Sequence, residues 1–217
     1  MHLSPGSLSL SLYKNKIEIL YTQSFTMKPI KRVLILAASP RKNGNSTILA
    51  LKAAEGVKAE GGNAEVVNLG NLKIAPCNAC DSCRIKPEAG CIIKDDMQPL
   101  YQKIRDAQGI IFASPVYWFN VSAQMKLFID RTYAVHDEGS YAFTGKNVGV
   151  ILTYADEDVF VSGGVNALRS FQDICVYVKA NLVGAVYGCA NKAGDIQANG
   201  KLLQEAFDLG KKIVNPK

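Results

Sequence analysis

The chain has 217 residues, 48% of them hydrophobic and 20% charged, which suits one soluble domain with a full core. No continuous apolar run reaches the about 18 residues that a transmembrane helix needs. A net charge of +6, spread along the chain rather than in blocks, suits small anions such as nucleotides and marks no nucleic-acid or membrane surface.

Residues 1–26 fit nothing that follows and are expected to be an N-terminal extension. His2 is the only possible side-chain charge before Lys14, and the Leu/Ser alternation at 7–12 is no continuous apolar segment, so a secretory signal is not expected. Met27 is the expected natural start, with an added strand over the Leu/Ser stretch as the alternative. The six cysteines are then expected in a reducing, cytoplasmic compartment, where clustered thiols mean metal or redox work.

From residue 31, strands and helices alternate within a domain expected over 27–217. Residues 32–38 read as a buried strand and 46–60 as a helix ended by Gly61-Gly62. Residues 63–69 read as the second strand, and the cysteine-rich loop covers 76–94. Asp95-Asp96 look like a helix start, with acids suited to the N-terminal dipole and a helix running to about Ala107. Gly109–Ser114 reads as the third strand, Ser122–Tyr133 as a helix and Lys146–Tyr154 as the fourth strand. Residues 164–180 read as a helix, Leu182–Ala190 as the fifth strand and 197–214 as the closing helix. Such alternation argues for a parallel sheet covered on both faces, although periodicity does not reveal strand order. Ligands bind outside the carboxyl ends of such strands, which singles out the loops after strands one, three and four.

The first of these loops reads Ser39-Pro40-Arg41-Lys42-Asn43-Gly44-Asn45-Ser46-Thr47. Backbone N–H groups at a helix start suit a phosphate. Ser39, Ser46 and Thr47 can add hydroxyl donors, Arg41 charge, and Gly44 a close bend, with Ser46 the expected helix cap. The pattern is neither G-x-x-x-x-G-K-[ST] nor G-x-G-x-x-G, so a triphosphate or Rossmann dinucleotide site is disfavoured. An ordinary capped turn is the plainer alternative. After strand three, Pro115 is expected to fix a turn. Val116, Tyr117, Trp118 and Phe119 then offer a flat apolar wall, with Trp118 and Phe119 alternatively in the core or a dimer contact. Tyr154 faces the same site from strand four, where Asp156, Glu157 and Asp158 read as a solvated edge. Asp130 and Arg131 read as a structural or interface pair.

The segment Leu36-Ala-Ala-Ser-Pro-Arg-Lys-Asn-Gly-Asn-Ser46 resembles the FMN-phosphate loop of the flavodoxin-like NAD(P)H-dependent FMN reductases. Ala113-Ser-Pro-Val-Tyr-Trp-Phe-Asn120, followed by Ala123-Gln-Met-Lys-Leu-Phe-Ile-Asp-Arg131, resembles their second signature. The resemblance runs from about Lys31 to the C-terminus. It implies a flavodoxin-like three-layer α/β sandwich with a five-stranded parallel sheet and FMN at the strand ends. It also implies NAD(P)H as a hydride donor, with the chemistry carried by the flavin and no protein nucleophile.

Cys77, Cys80, Cys83 and Cys91 are spaced C-x2-C-x2-C-x7-C. Two-residue gaps reverse the chain locally, so three thiols can wrap one cluster. The last spacer spans at most about 28 Å, and Pro87 and Gly90 supply a turn for the return. No second set of cysteines is present, so Cys91 is the obvious fourth ligand of a single site. Zinc held by four thiolates, or thiols without any metal, are the alternatives. The run is similar to the compact cysteine motif of iron-sulfur flavoproteins, with the last gap at its long end. That resemblance implies FMN plus a [4Fe–4S] cluster, exchange with ferredoxin or another carrier, and homodimers or homotetramers in which one subunit's cluster lies near another's flavin. An NAD(P)H-dependent FMN or quinone reductase without a cluster is the enzymatic alternative. A flavodoxin-like carrier or a thiol redox sensor is the non-enzymatic one. Cys175 and Cys189 read as small buried hydrophobes.

Overall fold

The computed structural model describes residues 31–137 and 139–216. The expectations about residues 1–26 and Met27 lie outside them. Strand β1 (Arg32–Ala37) is buried from its second residue onward. Its alternate side chains feed two cores, Val33, Ile35 and Ala37 on one face and Leu34 and Leu36 on the other. A strand covered on both faces must be apolar throughout, which is why this run was legible as a strand.

Four further parallel strands complete the main sheet. They are β2 (Asn63–Asn68), β3 (Gly109–Tyr117), β7 (Asn147–Tyr154) and β8 (Asn181–Cys189), in the spatial order β2-β1-β3-β7-β8. This is the expected five-stranded flavodoxin-like sheet. Its order reverses between β1 and β3, and ligands bind at such a switch point. One minor strand adds to it, β4 (Asn120–Val121), antiparallel to β3, while β5 (His136–Asp137) and β6 (Ser140–Tyr141) form a separate two-stranded sheet.

Helices α1 (Asn45–Ala59) and α6 (Gly200–Val214) cover one face of the sheet. The other carries α3 (Gln98–Asp106), α4 (Ala123–Arg131) and α5 (Gly164–Val178). There the Phe112 ring lies 5.0 Å from Phe171 and 5.3 Å from Phe143, centroid to centroid. A short helix, α2 (Ser82–Ile85), interrupts the cysteine segment. Among the described residues no helix is long and apolar enough to cross a membrane.

Helices α1 and α6 touch backbone to backbone through two glycines. A Cβ on Gly56 would fall 1.9 Å from the Phe207 carbonyl oxygen, and one on Gly210 would fall 1.9 Å from that of Ala53. Gly210→Ala is therefore expected to destabilise the fold by about 1–3 kcal/mol through overpacking. The check is the urea midpoint, and an unchanged value would mean the two helices can part at no cost.

Several local expectations need correction. Strand β3 does not stop at Ser114 but runs through Pro115 to Tyr117, with Pro115 paired against Thr153. A proline is tolerated near a strand end, so it marks no turn here. The helix expected from Asp95 starts at Gln98 instead. Cys175 is buried in the core as expected, whereas Cys189 is exposed at the end of β8.

Candidate functional site

At the switch point, the loop after β1 closes on itself before α1 begins. The Gly44 N–H donates to the Arg41 carbonyl (3.1 Å) and the Arg41 N–H to Ser39 Oγ (3.2 Å). Asn43 adopts a left-handed φ of 55°, a conformation asparagine tolerates. Gly44 is the N-cap and contributes no side-chain acceptor. Ser46, expected to be the cap, lies one residue inside the helix. Its hydroxyl and that of Thr47 are buried and have no hydrogen-bond partner among the described residues. A buried hydroxyl left unpaired costs about 1–3 kcal/mol. Two of them in the first turn, beside N–H groups that have no intrahelical acceptor, form a cradle that fits an anion such as a phosphate.

The cradle has no room for a side chain at its N-cap. A Cβ on Gly44 would fall 2.1 Å from Ser39 Oγ. The Asn45 side chain is engaged within the protein. Its Nδ2 donates to the carbonyls of Ala190 (3.1 Å) and Lys192 (2.9 Å), and its Oδ1 accepts from Gly194 (3.0 Å) and Ile196 (3.2 Å). The side chain is saturated, so it braces the loop against the segment after β8. Arg41 reaches the same segment, donating to the Asn191 carbonyl at 2.7 Å.

The second loop is a tight hairpin between β3 and β4. Trp118 (φ 47°) and Phe119 (φ 64°) both occupy the left-handed region, as a two-residue hairpin requires. For bulky residues this stores about 1–3 kcal/mol each, and such strain gathers at functional sites. Neither ring is in the core: Trp118 is 94% exposed and Phe119 52%. The hairpin's return is pinned by buried hydroxyls. The Ser122 N–H donates to Ser114 Oγ (2.9 Å), and Ser122 Oγ donates to the Ala38 carbonyl (2.9 Å), tying this loop to the first.

The third loop brings Tyr154, buried at the end of β7. Burial, then the neighbouring Tyr187, Cys189 and Asp158, push its phenol pKa up, so it is a neutral donor. Asp156, Glu157 and Asp158 are exposed as expected. Ser39, Arg41, Gly44 and Asn45 meet Pro115, Val116, Tyr117 and Tyr154 around one shallow depression of about 60 Å³. Asn43, Ser46, Thr47, Trp118 and Phe119 are not in its lining. Thr153 and Ala155 line it too, from the loop after strand four that the sequence places at this site, and so do Ala190 and Asn191, which the sequence does not single out. No local pattern in the sequence ties the loop after β8 to this site, because β8 lies at the sheet edge, away from β1.

The cysteine segment forms a second site. Cys77, Cys80, Cys83 and Cys91 line one cavity of about 470 Å³ and form no disulfide. Left-handed residues Ala79 (φ 54°) and Asp81 (φ 54°) turn the chain between the first three, and Gly90 (φ 63°) returns it to Cys91. Burial, then the charge of Cys91, raise the Cys83 thiol pKa, and Cys77 adds to the rise. Hydrogen bonds from Ser82 lower that of Cys80. Among the described residues no three Cys, His, Asp or Glu side chains are drawn together closely enough to hold a metal ion. The thiols thus share a cavity without meeting at a point. Four soft thiolate donors around a roomy cavity fit a cluster better than one ion, because zinc draws four sulfurs in to about 2.3 Å.

Arg131 and Asp95 underlie this cavity. The two were not paired by the sequence reading, which joined Asp130 to Arg131. Asp130 instead accepts from Lys126 (2.8 Å) on the helix surface. Arg131 is fully buried and bonds Asp95 at 2.6 Å. Asp95 also accepts from the Ala75 (2.9 Å) and Met97 (3.0 Å) N–H groups. Burial alone would raise the Asp95 pKa. The bonds from Arg131 and the two N–H groups outweigh it and hold the carboxyl below the usual range.

Residues 31–195 match the family described as NADPH-dependent FMN reductase. An iron-sulfur flavoprotein of Methanocaldococcus jannaschii is 30% identical over 188 residues, covering 84% of this chain and 95% of the relative. One from Archaeoglobus fulgidus is 38% identical over 187 residues, covering 85% and 79%. Among solved structures, an NAD(P)H:quinone oxidoreductase from Methanothermobacter marburgensis superposes with a TM-score of 0.65 at 20% identity, over 85% of this chain and 97% of that one. This last likeness is one of fold.

Proposed function

The chain belongs to the NADPH-dependent FMN reductase family and is a flavin-dependent oxidoreductase. From that premise we propose that it passes electrons between FMN and a [4Fe–4S] cluster held by Cys77, Cys80, Cys83 and Cys91. The observation that carries this reading is the single cavity lined by all four thiols. FMN supplies the exchange between a hydride from NAD(P)H and single electrons, and a cluster carries single electrons onward to ferredoxin, another carrier or a small-molecule acceptor.

The chain's own residues bind and orient. The first turn of α1, with Ser46, Thr47 and the N–H groups after Gly44, holds the FMN phosphate. Ser39, Arg41 and Asn43 shape the loop, and Asn45 braces it. Pro115, Val116 and Tyr117 present backbone groups to the edge of the flavin ring, and Tyr154 donates from the third loop. Trp118 and Phe119 stand above this site, where their exposure suits a second copy of the chain closing over the flavin in a homodimer or homotetramer.

Anaerobic purification tests the reading. The expected result is a yellow protein with one FMN and about four irons and four sulfides per chain. Flavin without iron and sulfide would reject the cluster. It would leave the NAD(P)H-dependent FMN or quinone reductase without a cluster. Stopped-flow mixing with NADH and with NADPH tests the enzyme: bound flavin that neither reduces would mark an electron carrier instead.

A further inference from the structure

The four thiols are not held alike. Cys77 and Cys80 are exposed, while Cys83 and Cys91 are half-buried. Among the described residues, Cys91 is the one of the four whose sulfur takes a hydrogen bond from a helix outside the loop. The donor is Arg131 Nη2, at 3.5 Å. The two terminal nitrogens of that guanidinium make further bonds, while its Nε has no partner among the described residues. Nη1 donates to the Ala75 carbonyl (2.8 Å), and Nη2 to the Ile93 carbonyl (3.4 Å) and the Tyr101 hydroxyl (3.1 Å). Asp95 accepts from both nitrogens, at 2.6 and 3.2 Å. Ala75 precedes the first cysteine and Ile93 follows the last, so one side chain straps both ends of the segment together. Gln98 holds Cys91 by its backbone as well, donating to its carbonyl at 3.1 Å.

We propose that Arg131 is a positioning residue for the cysteine site. It closes the 75–93 loop at its base and presents Cys91 as the fixed thiol on which Cys77, Cys80 and Cys83 close. The long spacer before Cys91 then carries no penalty, because Arg131 and not the spacer sets where that thiol stands. The inference rests on the cluster reading for what the thiols hold. The fixed position of Cys91 is a property of the protein by itself. A planar fork donating to a carbonyl, a carboxylate and a sulfur at once is a task lysine cannot copy. A cationic donor on a ligand sulfur also favours the reduced cluster, since hydrogen bonds to the sulfurs set its potential.

Two variants test this: Arg131→Lys, which keeps the charge beside Asp95, and the paired Asp95→Asn/Arg131→Gln, which leaves no buried charge alone. FMN content at the wild-type level shows that each has folded. In cluster-free protein, iodoacetamide labelling at about pH 10, where free thiols are ionised, reads access peptide by peptide. Wild-type Cys91 is expected to label more slowly than Cys77, and in both variants at the rate of Cys77. In reconstituted protein, both variants are expected to show a more negative cluster potential and to lose iron to a chelator about tenfold faster or more. Cys91 labelling at the wild-type rate in both variants would overturn the positioning role, and an unchanged potential and iron-loss rate would overturn its effect on the cluster. A wild-type protein that takes up no iron or sulfide rejects the cluster reading instead, and the labelling then decides the role of Arg131 by itself.

Discussion

Gly44→Ala is expected to strip the protein of FMN while leaving the sheet intact. The backbone at Gly44 (φ −60°) is open to any residue, so the effect is one of space alone. The added Cβ would lie 2.1 Å from Ser39 Oγ and 2.5 Å from Ser39 Cβ, a clash that rotating the buried Ser39 hydroxyl does not relieve because Cβ is fixed to the backbone. The loop must open, which pulls the N–H groups and the Ser46 and Thr47 hydroxyls away from the phosphate. Hydrogen bonds to a charged group contribute about 1.5–3 kcal/mol each. Losing two of them weakens FMN binding by roughly two to four orders of magnitude in Kd. Fluorescence titration of the apoprotein reads this directly. The double variant Ser39→Gly/Gly44→Ala removes both clashing atoms and is expected to recover part of the affinity. FMN bound at wild-type strength by Gly44→Ala would show that the cradle is not the phosphate site.

The second large effect is on stability. Asp95→Ala deletes the carboxylate that neutralises a guanidinium only 1% exposed, and leaves the Ala75 and Met97 N–H groups without their acceptor. Breaking a buried pair from one side costs about 3–5 kcal/mol, because the remaining charge stays buried. Chemical denaturation is expected to show that loss. Asp95→Ala/Arg131→Met is expected to regain much of it, since removing both charges removes the penalty. A single variant as stable as wild type would mean that water reaches Arg131.

The same pair sets an acid dependence. The folded pKa of Asp95 lies below its unfolded value, so its contribution is complete above the unfolded value, near about 4. That contribution is lost as pH falls through the depressed folded value. The wild type is thus expected to lose stability in acid more steeply than Asp95→Asn.

The local chemistry of the loop after β1 is readable in the sequence. Its hydroxyls, its glycine and its position between strand and helix are properties of adjacent residues. The role of each was less readable. Ser46 was assigned the cap that Gly44 occupies, because a serine at a helix start usually caps. The Asn45 side-chain amide bonds the loop after β8, about 150 positions along the chain, a contact no local pattern could show. The Trp118-Phe119 turn carried no signal, since bulky residues rarely accept left-handed backbone. Asp95 looked like a helix start because its partner Arg131 is distant in sequence and close only in the fold.

The sequence by itself determined the alternation of strands and helices, the composition of the loops at the strand ends and the cysteine spacing. Each of these depends on burial pattern or on neighbours a few residues apart. Tertiary structure alone decided which loops meet. Strand β8 stands at the sheet edge, separated from β1 by β3 and β7, and the segment after it reaches back to the start of α1, where the Gly194 N–H meets Asn45 Oδ1. The packing of α4 beneath the cysteine segment sets Arg131 against Asp95 and Cys91. Contacts between distant segments are settled by how the whole core packs, and no local pattern of residues encodes them.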